Sequence, residues 1–330
     1  MITAVLWATA ALAVSVQGPV WEAVRRPVHT YSIVAVDTVT GEIGAAVQSH
    51  WFSVGSIVTW AEPGVGAVAT QSFVEPAYGP RGLALMRSGL SAPAALAALL
   101  AADPDSQVRQ VAMIDARGRV AAHTGSRNIP AAGHYIGRGY SVQANLMRSA
   151  EVWPAMARAF EQAGGDLAGR LLAALEAGER AGGDIRGRQS AALVVVSGDR
   201  SRPGWEKIYD LRVEDSPEPL AELRRLLRVA RAYRAATEGD NYITAGQVDS
   251  AMAAYSRAAA LLPDSATNGE LVYWQAVTLA GLGREEEAIP LFRRAFAQDT
   301  SWIELLRRLP AAGLLPQDSV LIERIIRRAR

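Results

Sequence analysis

Short apolar segments bounded by turn residues run through the first two thirds of the chain. Residues 30–36 alternate apolar and polar side chains, and a turn containing Gly41 joins them to residues 43–48, which predicts a β-hairpin. Residues 111–114 and 120–123 predict a second hairpin in the same way. Further strands are predicted at residues 65–73, 140–144, 191–196 and 208–213.

Two helical patterns interrupt these strands. Residues 79–102 are rich in alanine and leucine, and Ser91 is a candidate N-cap for the second part of that segment. Residues 152–181 carry apolar side chains at helical spacing, with a break near Gly164 and Gly165. Groups of strands with helices between them predict two packed sheets with helices on the outside.

The composition changes at Pro217, where glycine becomes rare and Leu, Ala, Arg and Glu dominate. Residues 217–330 contain a repeat in which small and aromatic positions recur 37 residues later: Gly246, Ala251, Tyr255, Ala258 and Pro263 match Gly283, Ala288, Phe292, Ala295 and Thr300. This is the pattern of the second helix of a tetratricopeptide repeat, with a short insertion relative to the usual period of about 34 residues. We expect an independent all-α domain that binds a protein partner. A plain helical array without a binding groove is the alternative.

The N-terminus has the features of an export signal. Residues 4–16 are uncharged and almost wholly apolar, which is the length of a signal-peptide core and shorter than the roughly 20 residues of a membrane-spanning helix. Residues 11–13 (Ala-Leu-Ala) offer a cleavage site, although residues 1–3 lack a basic residue, which leaves a buried N-terminal helix or a misplaced start as alternatives. We assign residues 1–18 to a signal peptide and 19–29 to a linker. The prediction is a periplasmic or secreted bacterial protein without a stable membrane span.

Composition and motifs exclude several kinds of chemistry. The net charge of +1 gives no basic field for nucleic acid, and the absence of cysteine excludes a cysteine nucleophile, thiolate metal sites and disulfides. The four histidines lack the spacing of a zincin helix, and neither a Walker A loop nor a G-x-S-x-G nucleophile motif is present. No metal and no cofactor are expected.

Polar residues occur where the predicted strands end. Gln48-Ser49-His50, Thr70-Gln71-Ser72 and Gln143-Ala144-Asn145 occupy such positions, and a polar loop at residues 183–190 leads into the strand that follows it. Polar groups that converge at strand ends are a common way to build a site on a sheet. For each residue alone, capping of the strand and hydrogen bonding within a turn is the simpler interpretation. For the group together we predict a site.

Several segments of this chain resemble, in the same order, the bacterial domain of unknown function 1028 family. They are residues 29–35 (His-Thr-Tyr-Ser-Ile-Val-Ala), 48–56, 64–71, 78–82, 109–111, 115–120, 182–184 and 187–192. The resemblance covers about residues 30–230. It implies an α+β fold, a four-layer αββα sandwich of the N-terminal-nucleophile hydrolase superfamily, over residues 30–216, followed by the tetratricopeptide-like helical domain at 217–330.

The resemblance also implies a catalytic threonine. Thr30 is the candidate nucleophile, and cleavage between His29 and Thr30 is required because the base in this class is the free α-amine of the nucleophile itself. Such an enzyme would hydrolyse an amide in a small molecule or a peptide. The strand-end pattern and the resemblance together give Thr30, Gln71, Asn145 and Asp184 as catalytic residues and His50, Gln143, Arg188 and Gln189 as substrate-binding residues.

Within that set, side-chain amides at 71, 143 or 145 would donate to the oxyanion, and Asp184 and Arg188 would orient the substrate or the nucleophile. A non-catalytic ligand-binding or scaffold protein that keeps the fold without cleavage is the main alternative. A pairing of His50 with Ser49 or Ser53 is disfavoured for Ser49, because neighbouring residues on a strand point to opposite faces. Whether the protein forms a homo-oligomer stays open.

Overall fold

Ten strands in residues 30–330 form two antiparallel sheets. The computed structural model describes Val28 and residues 30–330, so the predicted signal peptide and most of the linker lie outside the described residues. The strands are β1 (Thr30–Val36), β2 (Ile43–Ser49), β3 (Thr59–Glu62), β4 (Gly66–Ser72), β5 (Arg109–Asp115), β6 (Val120–Thr124), β7 (Gly133–Gly137), β8 (Tyr140–Ala144), β9 (Ser190–Val196) and β10 (Tyr209–Val213). One sheet has the order β10-β9-β2-β1-β8-β7 and the other has the order β3-β4-β5-β6.

The helices of the described residues lie between the strands and after the last of them. They are α1 (Gly55–Val58), α2 (Tyr78–Arg87), α3 (Ala92–Ala102), α4 (Val152–Gln162), α5 (Leu167–Arg180), α6 (Pro219–Thr244), α7 (Val248–Leu261), α8 (Glu270–Gly281), α9 (Glu285–Gln298), α10 (Ser301–Arg308) and α11 (Ser319–Ala329). Across the described residues, no helix combines the length and the apolar character that a membrane crossing requires.

Most predicted elements are confirmed. Both hairpins form, and the predicted helix at 79–102 is two helices because Gly89, at φ +108°, ends the first one. Ser91 then caps α3 by accepting a hydrogen bond from the Ala94 N–H at 3.2 Å. Two strands were not predicted, β3 and β7. Each is short and pairs with a neighbouring strand along one edge of a sheet, so its extended conformation depends on that partner more than on its own pattern.

The strand alternation separates two cores. On β1, Tyr31, Ile33 and Ala35 face α4 and α5, whereas Val34 and Val36 face the second sheet. Helices α2 and α3 cover the outer face of the four-stranded sheet in the same manner. Because strand residues two apart share a face, Thr30 and Ser32 also lie between the two sheets. The first residues of β1 therefore bring hydroxyl groups into the interior between the sheets.

The C-terminal region is helical from Pro219 to the last helix. Residues related by the 37-residue repeat occupy equivalent buried positions on α7 and α9: Ala251, Tyr255 and Ala258 on one, Ala288, Phe292 and Ala295 on the other. The first half of α6 packs against β9 and β10, and Leu220, Leu223 and Leu227 belong to the core beneath that sheet. The boundary at 216–217 thus marks where helix begins, while the packing of the first part continues to about residue 227. Independent folding of residues 217–330 stays a prediction.

Candidate functional site

Thr30 is the first residue of β1 and is fully buried between the two sheets. Its hydroxyl lies 2.9 Å from the carbonyl oxygen of Val28 and 3.3 Å from the hydroxyl of Ser49, which stands opposite it on β2. Its carbonyl oxygen accepts from the backbone N–H of Asn145 and from Nε2 of Gln71, each at 3.1 Å. Both polar groups of Thr30 are therefore held in fixed directions.

Val28, two residues before Thr30, is paired with the end of β4. The Val28 N–H donates to the Ser72 carbonyl at 2.6 Å, and the Ser72 N–H donates back to the Val28 carbonyl at 2.9 Å. Ser72 has a φ of +70°, which is unfavourable for a residue with a side chain, and its buried hydroxyl has no hydrogen-bond partner among the described residues. Strain of this kind persists where the surrounding structure enforces it, and it clusters at functional sites.

Four side-chain amides, which we call the amide network, fill the interior beside Thr30: Gln71, Gln110, Gln143 and Asn145. Gln110 accepts from Gln71 at 2.6 Å and from Asn145 at 2.8 Å, and it donates to Thr124 Oγ1 at 2.9 Å. On the other side, Gln143 donates to Ser32 and Ser32 donates to Gln71, each at 2.6 Å. The donors and acceptors alternate along the whole chain of bonds, so the network is satisfied in a single arrangement.

The network is electrically neutral, and this limits its chemistry. The described partners of Thr30 are Val28, Ser49, Gln71 and Asn145, none of which carries a base that titrates near neutral pH. Amides can donate and accept hydrogen bonds but do not take up a proton in this range. The surroundings of Thr30 can position its atoms, and activation of its hydroxyl needs a base from elsewhere.

A second polar group lies at the same end of the six-stranded sheet, in the loop before β9. The Asp184 carboxylate is buried, accepts from the His50 backbone N–H at 3.3 Å and pairs with Arg186 at 2.7 Å. The Asp184 backbone forms a β-bridge with Met147, three residues beyond β8. These contacts tie the loop to the ends of β2 and β8, close to the strand positions that hold Thr30.

Arg188 and Gln189 bind acidic groups around that loop. The Arg188 guanidinium contacts Glu179 at 3.2 Å and also pairs with Glu218. The side chain of Gln189 donates to Asp215 at 3.1 Å, while its backbone N–H donates to the Ser49 carbonyl at 3.1 Å. The structure thus brings Thr30, Gln71, Gln143 and Asn145 into one bonded group and places His50, Asp184, Arg188 and Gln189 on an adjoining one.

Sequence reasoning did not select Gln110 or Ser32, and it named Ser72 only as one of the polar residues at a strand end. Gln110 is the hub of the amide network, and Ser32 connects Gln143 to Gln71. The alternation of the strands does mark Ser32 and Gln110. Ser32 shares a face of β1 with the apolar Val34, and Gln110 shares a face of β5 with the apolar Ala112 and Ile114. A polar residue on the apolar face of a predicted strand therefore identifies Ser32 and Gln110 as candidates for a site. In the described part of the chain, no cluster of His, Asp and Glu is arranged to hold a metal ion.

Tyr31, on the face of β1 opposite to Thr30, gives the stability of the fold a predicted pH dependence. Burial and the Glu179 carboxylate, which accepts its hydroxyl at 2.7 Å, raise the pKa of Tyr31 well above the ordinary value of 10.0. Since the unfolded chain releases this proton first, the contribution to stability is complete below pH 10 and is lost as the pH rises further. We expect Tyr31→Phe to lower the free energy of unfolding by about 1 kcal/mol at pH 8 and to flatten its decline above pH 10.

Urea unfolding at pH 8 and pH 10.5 measures both effects. Tyr135→Phe is the control, because Tyr135 is 47% exposed. An equally steep decline in the wild type and in Tyr31→Phe would contradict the assignment.

The region that contains the two sheets is similar to known proteins. A family of unknown function, DUF1028, matches residues 30–223, which is more than half of the sequence. The chain belongs to this family. The crystal structure of protein SPO2555 from Silicibacter pomeroyi, whose description also names DUF1028, is 31% identical, with a TM-score of 0.55 over 61% of this chain and 89% of that one. No curated protein matches the chain. The DUF1028 match begins at Thr30, the first residue of β1.

Proposed function

We propose that this DUF1028 protein is the precursor of an exported amidohydrolase in which Thr30, once freed by cleavage after His29, is the nucleophile. The single observation that carries the proposal is the setting of Thr30: a buried hydroxyl at the start of a central strand, with fixed neighbours and no titratable partner among the described residues. A hydroxyl in this setting becomes reactive when its own amine is free to act as the base. The four-layer arrangement of the N-terminal-nucleophile hydrolases agrees with two sheets covered by helices.

The proposed cleavage begins within the chain itself. The Thr30 oxygen attacks the carbonyl carbon of His29 while a water molecule, the base available before the amine is free, takes the hydroxyl proton. The peptide C–N bond then breaks, and the nitrogen takes up that proton from the water. The resulting ester is hydrolysed by water. The products are a carboxylate on His29 and a Thr30 that carries a free amine beside a restored hydroxyl.

The mature enzyme repeats this chemistry on a substrate amide. The amine accepts the hydroxyl proton while the oxygen attacks the substrate carbonyl, and the leaving amine of the substrate then receives that proton. Water hydrolyses the acyl ester and regenerates the enzyme. The Thr30 oxygen thus forms an ester with the acyl group of His29 in the cleavage and with the acyl half of the substrate in turnover.

The side chains of the amide network have a positioning role in this proposal. Gln71 and Asn145 direct their N–H groups at the Thr30 carbonyl and at Gln110, so they hold the nucleophile rather than face an incoming oxyanion. Asp184 and Arg188 act more indirectly, through the loop that closes over the ends of β2 and β8. His50, which is exposed, and Gln189 border the route by which a substrate would approach.

The helical region adds a second proposed role. The equivalent burial of the repeat positions on α7 and α9 supports a tetratricopeptide-like arrangement, which presents helix surfaces suited to a protein partner. We propose that this region brings the hydrolase to a partner in the compartment to which the N-terminal signal exports it.

A non-catalytic binding protein is the competing function, and one observation favours it. The two hydrogen bonds between Val28 and Ser72 hold the uncut chain firmly in place. If that pairing persists in the mature protein, Thr30 keeps an amide nitrogen and lacks a base.

The mature N-terminus decides between the two functions. We expect the protein recovered from the exporting cell to begin at Thr30, as measured by intact mass, and to hydrolyse amide substrates. A chain that keeps residues 19–29 and still hydrolyses amides would contradict the Thr30 mechanism. The same uncut chain without activity would support the binding protein.

A further inference from the structure

We propose that the surface that holds Val28, between Ser72 and the inter-sheet core, is the binding groove for an extended peptide with a branched aliphatic side chain. We call this surface the leader groove, because the uncut chain occupies it. The inference rests on the proposed function and makes it more specific: the substrate is a peptide, and its aliphatic residue lies second on the acyl side of the bond that is cut.

The first argument is the form of the pairing. Val28 and Ser72 exchange both of their backbone hydrogen bonds, at 2.6 and 2.9 Å. Backbone pairing of this kind is how a sheet edge binds an extended peptide without regard to its side chains. The end of β4 therefore pairs with extended backbone, and among the described residues that backbone is Val28.

The second argument is the position of the groove relative to the nucleophile. The Val28 carbonyl accepts from the Ser72 N–H and also lies 2.9 Å from the Thr30 hydroxyl. In the proposed reactions the same oxygen attacks first the leader and then the substrate. Because the same Thr30 oxygen attacks both carbonyl carbons, we place the acyl half of the substrate where the leader was bound before the cut.

The third argument is selectivity. The Val28 side chain is 1% exposed and packs in the apolar core between the sheets. A charged side chain there would lose its hydration without gaining a partner, and glycine would leave the space unfilled. The groove is thus selective at this one position, whereas the backbone bonds accept any sequence.

Ser72 is the fourth argument. It is held at a φ of +70°, and its buried hydroxyl is without a hydrogen-bond partner among the described residues. Both backbone groups of Ser72 pair with Val28, and its hydroxyl is a further buried polar group on the same residue. Neither feature is needed to end a strand, since glycine would do so without strain.

Binding of a free peptide tests the groove without any catalysis. The protein is the full chain with Thr30→Ala, which cannot cleave itself, combined with Val28→Gly so that its own leader docks poorly. The probe is a fluorescently labelled peptide with the sequence of residues 22–29. Anisotropy should show saturable binding, and at least tenfold weaker binding to the Thr30→Ala chain that retains Val28, because there the tethered leader competes.

Two altered peptides test the recognition itself. A peptide with glycine in place of Val28 should bind at least tenfold more weakly, as should one with an N-methyl group on the Val28 nitrogen, which removes the donor to the Ser72 carbonyl. Equal binding of all three peptides would overturn the proposal. So would failure of the unaltered peptide to bind a Val28→Gly, Thr30→Ala chain whose circular dichroism is that of the wild type.

These results separate the groove from the proposed function. Discrimination among the peptides by a protein that never hydrolyses an amide would leave the groove intact and remove the hydrolase. Amide hydrolysis by the processed wild type, together with equal binding of the three peptides, would leave the hydrolase intact and remove the groove.

Discussion

Replacement of Thr30 by alanine is expected to abolish both cleavage after His29 and amide hydrolysis. Alanine has no hydroxyl to attack the His29 carbonyl, so the chain stays joined and no free amine forms. Removal of a covalent nucleophile lowers kcat on the order of 10⁴-fold or more in enzymes that depend on one. Thr30→Ser keeps a hydroxyl and should retain cleavage and part of the activity. Intact mass and an amidase assay measure the two effects.

Thr38→Ala is the matched control for this prediction. Thr38 lies in the exposed turn between β1 and β2, eight residues from Thr30, so the substitution should change neither cleavage nor activity. Hydrolysis at the wild-type rate by Thr30→Ala would show that another residue is the nucleophile. Loss of activity in Thr30→Ser with a complete cut at residue 30 would show that the methyl group also positions the oxygen.

Replacement of Gln110 by leucine is expected to have the largest effect on stability in the sandwich. Gln110 is fully buried, and its replacement removes one hydrogen bond each from the amide groups of Gln71 and Asn145 and from the Ala144 carbonyl. An unpaired buried polar group costs about 1–3 kcal/mol, so we expect the free energy of unfolding to fall by about 3 kcal/mol or more. Cleavage at Thr30 should slow as well, because Gln71 and Asn145 hold the Thr30 carbonyl.

Gln107→Leu is the control, since Gln107 is exposed and lies three residues earlier in the chain. Urea unfolding gives the stability, and the fraction of chain cut after His29 gives the second effect. A Gln110→Leu protein with the wild-type unfolding midpoint would mean that the amides find other partners. A destabilised protein that is still cut at the normal rate would limit the network to a structural role.

The amino-acid sequence determined most of the local structure. The alternation along residues 30–36 and 43–48 was sufficient to predict the first hairpin. Successive side chains of a strand point to opposite faces, so an alternating strand buries its apolar side chains on one face against a core. The breaks at Gly89 and at Gly164–Gly165, and the cap at Ser91, follow from backbone preferences that act within a few residues. The repeat at 37 residues identified the helices of the C-terminal region for the same local reason.

The placement of the site was only partly contained in the sequence. Strand ends rich in Gln, Ser and Asn indicated a site, and those at Thr30, Gln71, Gln143 and Asn145 do meet. The sequence did not show that Gln110 would join them, since β4 and β5 pair across 36 intervening residues, between Ser72 and Arg109. Its partners come from β4, β6 and the end of β8, and no local preference relates these strands.

Only the tertiary structure decided which hydrogen-bonding groups are already used. Of the amides that the sequence offered as oxyanion donors, Gln71 and Asn145 are turned toward the Thr30 carbonyl and Gln143 donates to Ser32, because buried polar groups pair with whatever groups the packing of the two sheets brings beside them. The pairing of Val28 with Ser72 arises in the same way, since a strand edge binds whichever backbone the fold brings beside it. Sequence determines what each segment can form, and packing determines which partner each buried group receives.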